Sequence, residues 1–293
     1  MIDRRTLLLT GTAALASCMV PTRGPQVRSR FEAIRGELGA GARLGVAALD
    51  TASGRELEFD PHSRYAMCST FKAALAGAIL AHVATKARSL DDSLPISRSD
   101  LVDHSPVVSA NLDRGRMRIE ELCAAIVEVS DNAAANILLR EVGGPAAFTA
   151  FVRRCGDKVT RLDRMETELN TNIPGDPRDT TTPAAMLGLM RSLLFGNVLP
   201  PASRARLAGW MEGSTTGRDR LRAGFPAGWR VGDKTGTANG ANNDIAFAVP
   251  PGRAPILVAS YIDAPSAENG ARNAAHAAVA RLVAERFAHT LGA

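Results

Sequence analysis

Residues 69–86 read STFKAALAGAILAHVATK. From Ala73 to Ala81 no side chain is charged, and small or apolar residues cover the whole circumference of the helix that this run would form. A helix that is apolar on every side is buried on every side. The stretch therefore predicts a central helix with other elements packed around it.

Working outward, the pattern changes on both flanks. Upstream, Leu44–Leu49 and Arg55–Phe59 are short strand-like runs separated by Asp50-Thr51-Ala52-Ser53-Gly54, which predicts a β-hairpin. A helix over Ser29–Leu38 precedes it, with Phe31, Ile34 and Leu38 on one face. Downstream, helical signals continue to about Glu212. Two helices, Ile119–Val129 and Asn132–Val142, lead to a stop at Gly143-Gly144. Thr182-Pro183 supplies the N-cap and first turn of a helix over Ala184–Leu194, with Gly196 to stop it. After Gly213, Trp229–Thr237, Asp244–Val249 and Ile256–Ile262 read as strands, followed by a helix over Gly270–Leu291. The order strands, helices, strands, helix predicts an α/β fold of the α+β type. Both chain ends form one antiparallel sheet flanked by helices, residues 29–62 and 213–293, and an all-α domain, residues 63–212, is inserted between them. The active site is expected between the two.

The bulk numbers bound the function. The chain has 293 residues, 45% hydrophobic and 22% charged, with a formal net charge of +5. That is an ordinary globular composition. Its arginines are scattered and aromatics are only 4%, which argues against a nucleic-acid partner. The five histidines are dispersed and no CxxC or HExxH motif occurs, so neither a metal site nor a cofactor is expected. Residues 1–17 have the form of an export signal: Arg4-Arg5, then an apolar run of about half the ~20 residues that span a bilayer. Arg4-Arg5 is similar to a twin-arginine pair, and Leu15-Ala16-Ser17-Cys18 resembles a lipobox that would make Cys18 a lipidated N-terminus. Simple cleavage with Cys18 as a passenger is the other reading. Residues 18–28 read as a tether.

Three short motifs carry chemistry. Ser69-Thr70-Phe71-Lys72 opens the apolar helix and puts a hydroxyl and an amine on one face. Serine is a weak nucleophile until a neighbouring base takes its proton, and a desolvated lysine can be that base. Ser130-Asp131-Asn132 lies between two helices, where Asp131 or Asn132 would serve as a cap. Lys234-Thr235-Gly236-Thr237 sits on a strand, and a glycine there makes sense if a ligand approaches the backbone. The stretch Arg161–Thr181 has no sustained period, and an irregular loop of about twenty residues in a compact domain is usually functional. It contains Arg164-Met165-Glu166-Thr167-Glu168-Leu169-Asn170.

In that order, S-x-x-K, S-D-N and K-T-G resemble the signature of the class A serine β-lactamases and penicillin-binding proteins, from about Ser29 to the end of the chain. The resemblance implies Ser69 as nucleophile, Lys72, Ser130 and Glu166 as proton-transfer groups, and Thr237 with Ser69 as the oxyanion hole. It further implies substrate contacts from Asn132, Asn170, Lys234, Thr235, Gly236, Arg220 and His104. Arg222 competes with Arg220, and Glu168 is the solvated glutamate. Arg164 and Asp179 resemble the ion pair that closes the loop, and Asn136 a hydrogen bonder to it. The loop favours a hydrolase over a DD-peptidase, because an acyl-enzyme clears only if a base activates water. A non-catalytic envelope lipoprotein is the rival from another class. The partners implied are small-molecule β-lactams, the enzyme a monomer, the location periplasmic. Cys68 faces Ala238 and Cys123 faces Ala76 at the places where some family members form disulfides, so neither bridge is expected.

Overall fold

The computed structural model describes residues 24–86 and 88–288. The signal segment and Cys18 lie outside these residues. In chain order, helix α1 (Gly24–Gly36) is followed by strands β1 (Arg43–Asp50), β2 (Glu56–Phe59) and β3 (Tyr65–Ala66), helix α2 (Phe71–Ala84) and strand β4 (Ser93–Pro95). Then come helix α3 (Pro106–Ala110), strand β5 (Arg116–Arg118), helices α4 (Ile119–Glu128), α5 (Asn132–Glu141) and α6 (Gly144–Arg154), and strand β6 (Thr180–Thr181). Helices α7 (Pro183–Leu194), α8 (Pro201–Glu212) and α9 (Leu221–Gly224) lead into strands β7 (Arg230–Ala238), β8 (Ala241–Val249) and β9 (Ile256–Asp263) and helix α10 (Asn269–Ala288).

The main sheet is antiparallel with strand order β2-β1-β9-β8-β7, so both chain ends do share it. Leu44 pairs with Ile262 and Leu49 with Leu257, which fastens the first hairpin to the last strand. Side chains alternate across the pleat. Leu44, Val46 and Ala48 face Phe31 and Ile34 of α1 and Val279, Val283 and Phe287 of α10. Ala47 and Leu49 face the helices on the other side, with Met186 and Met190 of α7. Gly45 is on this second face, where a Cβ would come 2.6 Å from the Tyr65 ring and 2.8 Å from Pro183.

Helix α2 is the core of the helical layer. Every residue from Phe71 to Leu80 is buried, Lys72 included. It packs against α4, α5, α6, α7 and α8. Phe71 meets Phe148 of α6 edge-on at 6.0 Å, and Gly77 receives Leu193 of α7. Burying leucines and isoleucines of this kind contributes about 1.5–3 kcal/mol each.

The observed elements differ from expectation in several places. The inserted part, residues 63–212, is not all-α: it also holds the short strand pairs β3–β6 and β4–β5, two or three residues each and too short to leave a period in the sequence. Ser69 is not in the α-helix itself but in a 3-10 turn, Cys68–Thr70, that leads into it. Gly143 and Gly144, both with positive φ, end α5 and also start α6. Residues 24–28, read as tether, are the first turns of α1. The irregular loop holds a short turn, Glu168–Asn170, and ends in β6, which pairs with β3.

Candidate active site

The turn carrying Ser69 is held from three sides. Asn243 of β8 donates to the carbonyls of Ala66 (2.8 Å) and Met67 (3.2 Å). The Met67 N–H donates to the Asp179 carbonyl at 2.9 Å. The Thr70 hydroxyl bonds to the Met67 carbonyl and the Tyr261 hydroxyl, at 2.8 and 3.0 Å. Ser69 itself is half-exposed, in contrast to the buried residues on either side of it.

Strand β7 runs directly over this turn. A Cβ on Gly236 would lie 2.7 Å from the Met67 carbonyl oxygen and 3.1 Å from the Ser69 nitrogen. The chain's own backbone thus requires this glycine, apart from any ligand that approaches the strand. Thr237, the next residue along the strand, is exposed.

Beneath Ser69, Lys72 is fully buried among oxygens. Its Nζ lies 3.0 Å from Glu166 Oε1, donates to the Ser130 carbonyl at 2.8 Å and to Ser130 Oγ at 3.3 Å, and donates to Asn132 Oδ1. Burial pulls the Lys72 ammonium below its ordinary range, opposed by the charge of Glu166. Lys234, also fully buried, donates to Ser130 Oγ at 3.1 Å and the Thr235 carbonyl at 2.8 Å. Burial, and then the charge of Lys72, lowers it further. The Ser130 hydroxyl thus bridges two amines. An edge-strand lysine guarding against aggregation would be solvated; β7 is an edge strand, yet Lys234 points inward.

Asp131 is the helix cap: its carboxylate accepts from Ala134 N at 2.8 Å, and also from the N–H groups of Val107 and Val108. Asn132 has both ends of its amide engaged, since Nδ2 donates to the Asp103 carbonyl at 2.8 Å. His104, exposed at the rim, bonds through Nε2 to the Val129 carbonyl at 2.8 Å, and its own carbonyl accepts from Asn132 N. The Thr235 hydroxyl meets that of Thr216 at 2.7 Å.

Of the two arginines, the structure brings Arg220 to the site. It donates to Thr237 Oγ1 at 2.7 Å and to the carbonyls of Gly236 and Asn243. Arg222 is taken up by buried Asp233, with two contacts of 2.5 and 2.8 Å.

The irregular loop delivers Glu166 to Lys72. Asn136 of α5 brackets it, accepting from Glu166 N and donating to the Glu166 carbonyl, both at 2.8 Å. Asn170 Nδ2 donates to Glu166 Oε2 at 2.6 Å. Glu166 is buried and Glu168 is exposed. Arg164 pairs with fully buried Asp179 at 2.6 Å. Cys68 is buried, which with the charge of Glu166 pushes its thiol up to about 12. Among the described residues, no three His, Cys, Asp or Glu side chains are grouped to hold a metal ion. Asn243 and Thr216 were not anticipated; the polar run Asn242-Asn243-Asp244 in an otherwise apolar strand was the available signal.

The chain is similar over most of its length to known proteins of one family. A family model for the Beta-lactamase enzyme family matches residues 26–287. Beta-lactamase CTX-M-8 of Citrobacter amalonaticus is 40% identical over 289 residues, covering 98% of each chain. The carbapenem-hydrolyzing beta-lactamase KPC of Klebsiella oxytoca is 46% identical over 247 residues, 84% of each. Among solved structures, an ancestral (GNCA) class A beta-lactamase superposes with a TM-score of 0.87 at 52% identity, covering 89% of this chain and 100% of that one. A beta lactamase from Xanthomonas campestris pv. campestris gives 0.85 at 44%, covering 89% and 97%. The chain belongs to the class A β-lactamases, serine hydrolases that open the β-lactam ring.

Proposed function

We propose that Ser69 opens the β-lactam ring and that Glu166 directs the water that releases the product. Lys234 and Thr235 hold the substrate carboxylate, with Arg220 acting through Thr237. The lactam carbonyl sits between the backbone N–H groups of Ser69 and Thr237, donors suited to the oxyanion that develops there. Ser69 Oγ attacks the carbonyl carbon, the C–N bond breaks, and Ser130 passes a proton to the departing nitrogen. Lys72, and Glu166 through a water, are the two bases placed to take the serine proton. Glu166 and Asn170 then hold the water that hydrolyses the ester, with Asn132 and His104 lining the acyl side. The site lies between the α/β part, residues 29–62 and 213–293, and the helical part, residues 63–212.

The observation that carries this reading is the chain of contacts from Lys72 to Glu166 (3.0 Å) to Asn170 (2.6 Å) under the serine. A DD-peptidase or a β-lactam-binding lipoprotein would have no use for a second base so placed. Purified enzyme should turn over a chromogenic cephalosporin, and Ser69→Ala should abolish that turnover. Glu166→Ala should accumulate the ester, seen by intact mass spectrometry as protein plus one substrate; a variant with the parent's turnover removes Glu166 from the mechanism. We further propose that residues 1–17 direct export to the periplasm and that the enzyme acts as a monomer. The mass of the exported chain distinguishes a lipid on Cys18 from a bare thiol.

A further inference from the structure

We infer that the cleft between residues 155–159 and helix α7 binds an aromatic organic anion, with Lys158 and Arg191 on its acidic group and the Phe195 ring against its body. The cleft shares no residue with the site around Ser69. Its volume of about 660 Å³ lies within the range of about 300–1,000 Å³ usual for ligand pockets.

The floor of the cleft is apolar. Leu189 is buried there, and Cys155, Val159 and Ala185 are half-buried. Phe195, at which α7 ends, leaves its side chain 39% exposed on the same wall. A flat aromatic face of this kind favours a ring in contact with it. The rim is cationic. Lys158 and Arg191 are both exposed, and neither side chain makes a hydrogen bond or an ion pair among the described residues. Asp157 is the one carboxylate on the wall; it is buried, and its Oδ1 accepts from Val159 N and Thr160 N at 2.7 and 2.9 Å. Two unpaired cations thus stand over an apolar floor whose single acid is already held by backbone, and an anion with an apolar body matches both features. Gly188 supports a ligand independently. It lies inside α7, where glycine is a poorer helix former than alanine, yet a Cβ there would meet nothing within 4 Å. Packing does not require this glycine; its effect is to keep the cleft clear.

The probe is 8-anilinonaphthalene-1-sulfonate, compared with N-phenyl-1-naphthylamine, which has the same rings without the sulfonate. An exposed charge pair is worth a factor of about 1.5–5 in affinity. In fluorescence titrations of the full chain the uncharged amine should therefore bind about tenfold more weakly than the sulfonate, both cations being lost to it. Lys158→Gln and Arg191→Gln should each weaken the sulfonate about two- to fivefold and leave the amine unchanged. Gly188→Leu fills the cleft from a helix that leucine favours, and should remove the site for both probes. Bound sulfonate should also slow alkylation of Cys155 by iodoacetamide, read by peptide mass, because Cys155 lines the cleft whereas Cys68 and Cys123 are fully buried. Each variant should keep the parent's turnover of a chromogenic cephalosporin, which shows that it is folded. Equal affinity for the two probes, or an unchanged affinity when both cations are replaced, overturns the anion site. Alkylation of Cys155 at the same rate with the sulfonate at saturation puts the probe elsewhere and overturns the cleft.

Discussion

Gly236 shows what a single missing side chain does here. The atoms that a methyl would meet belong to the backbone of Met67 and Ser69, so no flexible chain can step aside. Gly236→Ala must push β7 away from the nucleophile turn. Overpacking of this kind costs about 1–3 kcal/mol, a few degrees in Tm for a chain of this size. Displacing the proposed oxyanion donors, the N–H groups of Ser69 and Thr237, is worse, because about 1 Å of misplacement can cost 100-fold in rate. The expectation is a fall in kcat/KM of about 100-fold on a chromogenic cephalosporin, with the thermal midpoint lower by only a few degrees. Near-parental turnover would mean that β7 does not set the distance to Ser69. Ser69, Lys72, Ser130 and Lys234 were legible because each belongs to a short motif whose chemistry is local. The reason for Gly236 was not, since its neighbours are separated from it by more than half the chain. Asn243 was missed on the same ground.

Among the elements, the 161–179 loop depends on a few polar contacts. Asp179 accepts from Asp163 N at 2.7 Å, Arg164 N at 3.0 Å and Arg164 Nε at 2.6 Å, while its carbonyl holds Met67 N. Asp179→Ala leaves a guanidinium and two N–H groups without their acceptor in a buried neck. Breaking a buried pair costs about 3–5 kcal/mol, and 3 kcal/mol alone raises the population of an open loop about 100-fold. Trypsin should then cut within the loop far faster than in the parent, at Arg164 or Arg178, before the rest of the chain unfolds. Equal cutting rates would show that the pair does not close the loop. The lack of period marked this loop as irregular, yet its inner turn and β6 were too short to leave a period of their own. Helix α6 was hidden because two glycines signal a stop as readily as a start. Helix α8 buries only Leu207, Trp210 and Met211 deeply, too few to draw a stripe through its arginines.

For the whole molecule, the order of strand and helix signals was enough to join both chain ends in one sheet, because a buried hairpin and three late strands have few other ways to cover their apolar faces. What that order could not show is how polar residues of α10 are used beneath the sheet. His276 is fully buried there, with Nδ1 2.8 Å from Ser260 Oγ and Nε2 3.0 Å from the Asn242 carbonyl. Burial, and then the charge of Arg220, lowers its imidazole from 6.5 to about 3. Between those values the unfolded chain carries a proton that the native chain lacks. Stability therefore falls as pH drops from 6.5 to about 3, by at most about 1.4 kcal/mol per pH unit, and this contribution stops changing below that window. His276→Gln keeps a donor and an acceptor but cannot titrate. Urea unfolding between pH 6 and 4 should give a steeper loss of stability for the parent than for this variant. Parallel slopes would mean that His276 takes up its proton in place, with Ser260 Oγ turned to accept it.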